Sequence, residues 1–238
     1  MVDKMKIIKA SVEFVTPIDG QVILERLEEC GRVCYKSEDK ITEGSAEKFI
    51  ASIIKREHEA VLEHCSFTVK FICDRGVSHE IVRHRLASYC QESTRYCNYF
   101  KEGFGSEITV IEPCYLAGAG YGRWEAACRQ AEQAYFDLLN WGCTAQEARA
   151  VLPNSLKTEV VMTANIREWR HFFKLRCSPA SHPQMREVAC TLLTMCKEKM
   201  PVLFDDIGVE KVTVPSTVFN VTGKNNTFID NAGTVNIR

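Results

Sequence analysis

Between residues 83 and 96 the chain reads Arg83-His84-Arg85-Leu86-Ala87-Ser88-Tyr89-Cys90-Gln91-Glu92-Ser93-Thr94-Arg95-Tyr96. No other stretch packs so many hydrogen-bonding side chains together with so little aliphatic material between them. A guanidinium presents a planar fork of donors that suits phosphate and carbonyl oxygens, and serine and threonine hydroxyls fill the gaps between such forks. These types at this spacing describe a pocket for an anionic, oxygen-rich ligand. The bland alternative is a solvated run of charges. Two other segments bear on the choice. Glu57-His58-Glu59-Ala60-Val61-Leu62-Glu63-His64 gathers two histidines and three glutamates before a strand-like run. His58 and His64 are six apart, which does not suit a two-histidine metal pair on one helical face, so no metal site is expected. Farther on, Arg149 sits between Ala148 and Ala150, either snorkelling or reaching into a site.

The elements that must position these groups follow from periodicity. Residues 6–16 are β-branched and partly alternating, which predicts a strand closed by Pro17 and Gly20. Helical spacing runs from Gln21 to Tyr35 and from Ser45 to Arg56. Ser66–Cys73 reads as a strand, Asp74-Arg75-Gly76 as a turn, and Val77–Arg85 as a helix placing Glu80, Arg83 and His84 on one face. Ser88–Asn98 then leaves as an irregular loop. A short strand is predicted at 107–112 and a long amphipathic helix at 123–141. Thr144 and Glu147 form a capping box for a helix reaching Pro153. A strand over 157–164 leads into a helix opened by Asn165, with Arg167, His171 and Lys174 or Arg170 on one side and Trp169, Phe172 and Phe173 on the core side. A last long helix follows Pro183, and residues 206–238 form a tail rich in Thr, Asn and Val, a strand or hairpin or an unstructured end.

Composition narrows the class. The 238 residues carry a formal charge of −1 and 45% hydrophobic residues, ordinary for a globular protein and unlike a dedicated nucleic-acid binder. The N-terminal segment has no apolar run of signal-peptide type, and no stretch is long enough to span a bilayer. The 12 cysteines include no CxxC pair and fall in predicted core elements, so they read as reduced thiols of a cytoplasmic protein. Without repeats or a linker, residues 1–238 are expected to form one domain.

Taken in order, these segments resemble the flavin-dependent thymidylate synthases. The hallmark of that family is Arg-His-Arg, two residues, Ser, four residues, then Ser-x-Arg, met here by Arg83-His84-Arg85, Ser88, Ser93 and Arg95. The likeness extends to His58-Glu59 and Glu63-His64 upstream, and to Arg149-x-Val151-Leu152-Pro153, Asn165-x-Arg167 and Leu175-Arg176 downstream, over roughly residues 20 to 200. It implies an α+β fold, a mixed sheet flanked by helices, and a homotetramer with active sites at subunit interfaces. The implied reaction is the reductive methylation of dUMP to dTMP, with methylenetetrahydrofolate as carbon donor, NADPH as reductant and FAD as hydride carrier. By the family pattern His58, Arg83, His84, Arg85, Gln91, Asn165, Arg167 and His171 hold the flavin. Glu80, Arg83, Gln91, Glu92, Ser93, Thr94, Arg95, Arg149 and Arg176 surround dUMP, with backbone N–H groups near Gln91 and Glu92 adding to its phosphate contacts. Arg176 is the expected activating residue. A guanidinium on the N3/O4 edge of uracil favours the N3-deprotonated form and pushes electron density to C5.

Three positions depart from the family pattern. Glu80 stands where many members have Gln, and a carboxylate beside an anionic ligand has to be paired, with Arg83 the nearest candidate in sequence. Cys90 replaces a polar residue, and Ala60 replaces a hydroxyl residue at the flavin. Two competing readings are weaker. Pro113-Cys114-Tyr115 superficially resembles the Pro-Cys-His of the folate-dependent thymidylate synthases that use a cysteine nucleophile, but its surroundings do not follow. A nucleotide- or RNA-binding module built on Arg83, Arg85, Arg95 and Tyr96 would sit oddly in a nearly neutral chain. Ser93 invites a nucleophile's role, but no His–acid pair in the sequence is placed to activate it, which leaves it a binding role.

Overall fold

The computed structural model describes residues 5–97, 99 and 107–208, together with the backbone of 227–229 and 235–237. At its centre lies a four-stranded antiparallel sheet of β2 (Ser11–Phe14), β3 (Ser66–Asp74), β6 (Lys157–Asn165) and β4 (Ala87–Gln91), in the spatial order β2-β3-β6-β4. The two central strands pair along their whole length, Ser66 opposite Asn165 through to Asp74 opposite Lys157. Their alternation decides which face is covered: Phe67, Val69, Phe71 and Cys73 of β3, with Val160, Met162 and Ala164 of β6, are buried. Two short strands, β1 (Lys6–Ile8) and β5 (Thr109–Ile111), pair in parallel beside this sheet.

The covering layer is helical. Helices α1 (Gly20–Tyr35) and α2 (Ser45–Lys55) meet where Gly31 faces Phe49, and a Cβ at Gly31 would stand 2.6 Å from that ring. Helix α3 (Arg75–Ile81) follows β3 directly, α4 (Gly118–Asn140) and α5 (Ala145–Ala148) follow β5, and α6 (Ile166–Arg176), α7 (Pro183–Lys199) and α8 (Pro201–Phe204) follow β6. Helix α6 anchors the core through Trp169, which stacks on Phe67 at 4.9 Å, and through Phe172 and Phe173. A smaller cluster of Ile108, Val110, Cys128, Tyr135 and Leu156 lies under α4. Near the C-terminus β7 (Thr227–Ile229) and β8 (Val235–Ile237) pair antiparallel, in keeping with a hairpin, and the remaining tail residues from 209 lie outside the described set. Among the described residues no helix is long and apolar enough to cross a membrane.

The α+β arrangement holds, and so do both central strands, the capping box at Thr144 and the cap at Asn165. Five local expectations are corrected. The strand over 6–16 is two strands in different sheets, parted at Lys9-Ala10. Asp74 is no turn residue but an N-cap, its Oδ1 accepting from Val77 N at 2.7 Å, so α3 starts at Arg75. That helix ends at Ile81, before Arg83 and His84, because the Tyr89 hydroxyl donates to the carbonyls of Ile81 and His84 and ties the segment into a turn. The expected loop after Ser88 contains strand β4, whose Ala87, Tyr89 and Gln91 are half-buried while Ser88 and Cys90 face outward. Helix α4 also begins at Gly118, five residues before the apolar spacing becomes legible.

Candidate functional site

Because α3 stops early, Arg83-His84-Arg85-Leu86 leaves it through a turn and lies against the C-terminal part of α6. There a cavity of about 310 Å³ is lined by Arg83, His84, Arg85, Leu86, Glu168, His171, Leu175 and Arg176. Behind it runs a chain of four polar groups. Glu168 Oε1 lies 3.1 Å from His84 Nδ1, and Arg176 Nε donates to His84 Nε2 at 3.1 Å. Arg176 also donates from NH1 to the Glu80 carboxylate at 2.7 Å and from NH2 to the Glu80 carbonyl at 3.1 Å. An imidazole that accepts at Nε2 carries its proton at Nδ1, where Glu168 receives it. Burial is the main force holding the His84 pKa below its ordinary value, and Arg176 adds to it while Glu168 opposes.

A donor count shows what remains for a ligand. Arg176 has five N–H bonds, and three are committed to His84 and Glu80, leaving two in a fork held on three sides. The partner of Glu80 is therefore Arg176 and not Arg83. Arg83 and Arg85 are exposed and have no ion-pair partner among the described residues. His171, also exposed, stands edge-on to His84 with ring centroids 5.8 Å apart.

A second group gathers at the far end of β4. Arg149 NH1 donates to the buried Thr94 Oγ1 at 3.3 Å, Ser93 Oγ accepts from Arg95 N at 3.3 Å, and Arg95 lies over the exposed ring of Tyr96. Among the described residues neither Arg95 nor Arg149 has a carboxylate partner. Glu92, by contrast, is bound to Lys157 at 3.0 Å and accepts from the Tyr99 hydroxyl. Burial works against the Lys157 ammonium, but its hydrogen bonds to Glu159 and Glu92 outweigh this and raise its pKa. The Glu92 N–H donates to Glu159 O within the sheet, so it is not free for a phosphate as the sequence suggested. Gln91 turns inward, its amide donating to Ser78 Oγ at 2.9 Å. The two groups are separated by the length of β4, about 13 Å for five residues at strand rise.

The remaining expected residues lie along the outer side of α6. Asn165 caps the helix, accepting from Glu168 N at 2.9 Å. Arg167 is held by Glu63 at 2.5 Å and lies 3.7 Å from Glu59. His58 opens the turn Glu59–His64, with its Nδ1 2.6 Å from the Tyr35 hydroxyl. Sequence reasoning missed Glu168, Tyr89 and Tyr35 as partners of site residues: Glu168 and Tyr35 are brought to their contacts by the fold, and Tyr89, five residues from His84, reaches its carbonyl only through the turn that no local spacing reports. The one available signal was the Glu at the third position of α6, which reads as part of a cap.

Other chemistries fit less well. His84, Glu168 and His171 bring possible ligand atoms within 4.8 Å of one another. A cation on His84 Nδ1 would displace the proton to Nε2, against the N–H of Arg176, so the hydrogen-bond pattern disfavours it. Cys114 is no poised nucleophile: burial first, then Glu187, pushes its thiol up to about 11. Ser93 Oγ makes its described hydrogen bond to a backbone N–H and not to a base.

Comparisons with known proteins bear on the family and the fold. The profile of the family described as thymidylate synthase complementing protein matches residues 23–202. A flavin-dependent thymidylate synthase from Geobacter sulfurreducens is 35% identical over 193 residues, 77% of this chain and 82% of that protein. One from Pyrococcus furiosus is 34% identical over 164 residues, 68% of this chain and 67% of its own. Among solved structures, a UMP/dUMP methylase, PolB, from Streptomyces cacaoi bound with 5-Br dUMP superposes with a TM-score of 0.69. It covers 85% of this chain and 95% of its own at 21% identity, a likeness of fold.

Proposed function

The chain belongs to the thymidylate synthase complementing protein family, that of the flavin-dependent thymidylate synthases, and from this premise we propose its substrates, its residue roles and its assembly. It converts dUMP to dTMP, taking the one-carbon unit from methylenetetrahydrofolate and reducing equivalents from NADPH. The carrying observation is Arg176, whose guanidinium is clamped by Glu80 and His84 and keeps two N–H bonds at the cavity. Such a fork on the uracil N3/O4 edge stabilises the charge that develops there without reorganising during the reaction.

The residues present suit an FAD. Its pyrophosphate needs guanidiniums not already neutralised, and Arg83 and Arg85 are of that kind among the described residues, with His84 and His171 beside them at the cavity; His58, Asn165 and Arg167, outside that lining, join them by the family pattern. When bound, FAD supplies hydride chemistry that no side chain can. Gln91 joins them only through groups other than its inward amide N–H.

Arg95 and Arg149, with Ser93 and Thr94, serve the dUMP phosphate, and Arg83, Glu80 and Arg176 its base. Within one chain these groups stand at opposite ends of β4, in two separate clusters. The family pattern joins them in a site completed by a second chain, within a homotetramer whose active sites lie at subunit interfaces. The same reading treats residues 1–238 as one domain and places the enzyme in the cytoplasm. The test is a spectrum and an assay. The purified protein should carry oxidised flavin that NADPH bleaches, and should form dTMP when dUMP and methylenetetrahydrofolate are added. A colourless preparation that binds oligonucleotides in a salt-sensitive manner and makes no dTMP would overturn the proposal.

A further inference from the structure

Two helices in this chain begin with a capping residue followed three positions later by glutamate, and they use that glutamate differently. In α5 the Glu147 carboxylate folds back to accept from Thr144 N at 2.8 Å and Thr144 Oγ1 at 2.7 Å, closing a capping box in solvent. In α6 the cap is half made: Asn165 Oδ1 accepts from Glu168 N, and the Glu168 side chain leaves the cap to meet His84. Glu168 is only 7% exposed. A buried carboxylate is costly unless hydrogen-bonded and suitably placed, and here an imidazole N–H and the N-terminus of α6 supply both conditions.

We infer that Glu168 is a positioning residue, which holds His84 in the Nδ1–H tautomer so that the Nε2 lone pair receives Arg176 Nε–H and sets the plane of the guanidinium. The inference rests on the reading of Arg176 as the uracil-activating donor. In the other tautomer two N–H groups would face each other across the 3.1 Å between His84 Nε2 and Arg176 Nε, and the fork would turn away. The ring itself is seated by Phe172, with centroids 4.9 Å apart. The titratable and charged groups around His84 are Glu168, His171 and Arg176 from α6, Glu80 from α3 through Arg176, and Arg83 and Arg85 on its own segment.

Protonation of His84 has the same effect as the wrong tautomer, since Nε2 then becomes a donor against Arg176. Glu168 favours that proton, so removing the carboxylate lowers the His84 pKa. The acid limb of kcat should then move to lower pH in both Glu168→Ala and Glu168→Gln holoenzymes. The amide oxygen of Gln can still accept from Nδ1–H, so Glu168→Gln should keep most of kcat, while Glu168→Ala loses roughly tenfold, as outer partners of a functional histidine commonly do. The KM for dUMP should change little in either. An acid limb left at its wild-type position, or wild-type kcat in both variants, overturns the inference. Should Glu168→Ala fail to fold, the pH limb of Glu168→Gln decides. Nitrogen NMR of the imidazoles is independent of turnover: wild-type His84 should be Nδ1–H, and an Nε2–H ring would overturn the assignment. A wild-type enzyme that forms no dTMP would instead refute the proposed function, with the tautomer still readable.

Discussion

Arg170 and Arg176 stand on the same helix, and both are tied to carboxylates, yet the ties are of different kinds. Arg170 is 2% exposed and grips Asp206 in a bidentate pair at 2.8 and 2.6 Å, while also donating to the carbonyl of Leu203. Its donors are turned into the protein, where they join α6 to the chain just past α8. The side chain of Arg176 is 15% exposed and is held by Glu80 and His84 so that two N–H bonds stay at a cavity. Each guanidinium makes three described hydrogen bonds, but the rest of Arg170 is buried in the protein, its Nε without a hydrogen-bond partner, whereas Arg176 lines a cavity that a ligand can enter. Neither residue type nor donor count distinguishes them; what does is whether the remaining donors are buried or stand at a cavity.

The sharpest way to break this comparison is to remove each arginine's function in turn. Asp206→Ala leaves a buried guanidinium with the Leu203 carbonyl and, at 3.7 Å, Glu59; because Asp206 is half exposed, the loss should fall below the roughly 3–5 kcal/mol of a fully buried pair. Thermal or urea unfolding should show the loss, while turnover per bound flavin stays at the wild-type level. Arg176→Ala should do the reverse. It should retain flavin and most of its stability but lose on the order of a hundredfold in dTMP formation, the usual cost of one preorganised donor at a developing charge. Near-normal turnover in that variant would remove the distinction between the two arginines.

Acid should separate the two networks as well. His84 has a folded pKa below its ordinary 6.5, so as pH falls past that value the unfolded chain takes up a proton that the folded chain refuses. The stability owed to neutral His84 is whole above 6.5 and declines below it until the folded pKa is reached. The Asp206 carboxyl is held below its ordinary 3.8, chiefly by its hydrogen bond to Arg170, so the contribution of that pair survives to about pH 4 and is lost only beneath. Urea midpoints across this range should therefore fall in two stages. His84→Asn should flatten the milder stage and Asp206→Asn the more acidic one.

How much of this was legible in the sequence depends on the distance over which each interaction acts. Asn165 as a cap and Trp169, Phe172 and Phe173 as a core stripe are local patterns, and the helix they define is present as read. Arg83-His84-Arg85, Arg149 and Arg176 are legible by type, because a guanidinium advertises its ligand chemistry wherever it stands. Their partners are not. Glu80 is 96 positions from Arg176 and Glu168 is 84 from His84, and only the pairing of β4 with β6 brings such groups together. That strand was itself hidden, since Ser88-Tyr89-Cys90-Gln91 has no apolar alternation and is held by its backbone ladder and by Tyr89. The pairing of the Glu92 N–H within the sheet was lost with it.

Glu80 gives the finest test, because the two readings of it differ in sign. Read from the sequence it is a substrate-binding residue, and its loss should raise the KM for dUMP. In the structure it is the counter-charge of Arg176, its carboxylate held against that guanidinium at 2.7 Å. Glu80→Gln preserves an oxygen that can accept from NH1, and the backbone carbonyl still accepts from NH2, so the fork should stay in place. What disappears is a negative charge near a dianionic nucleotide. The KM for dUMP should then fall, by up to about fivefold, the scale of one partly exposed ion pair. The effect should shrink as salt is raised, because screening weakens the repulsion that the carboxylate exerted. A KM that rises, independently of salt, would return Glu80 to direct contact with the substrate.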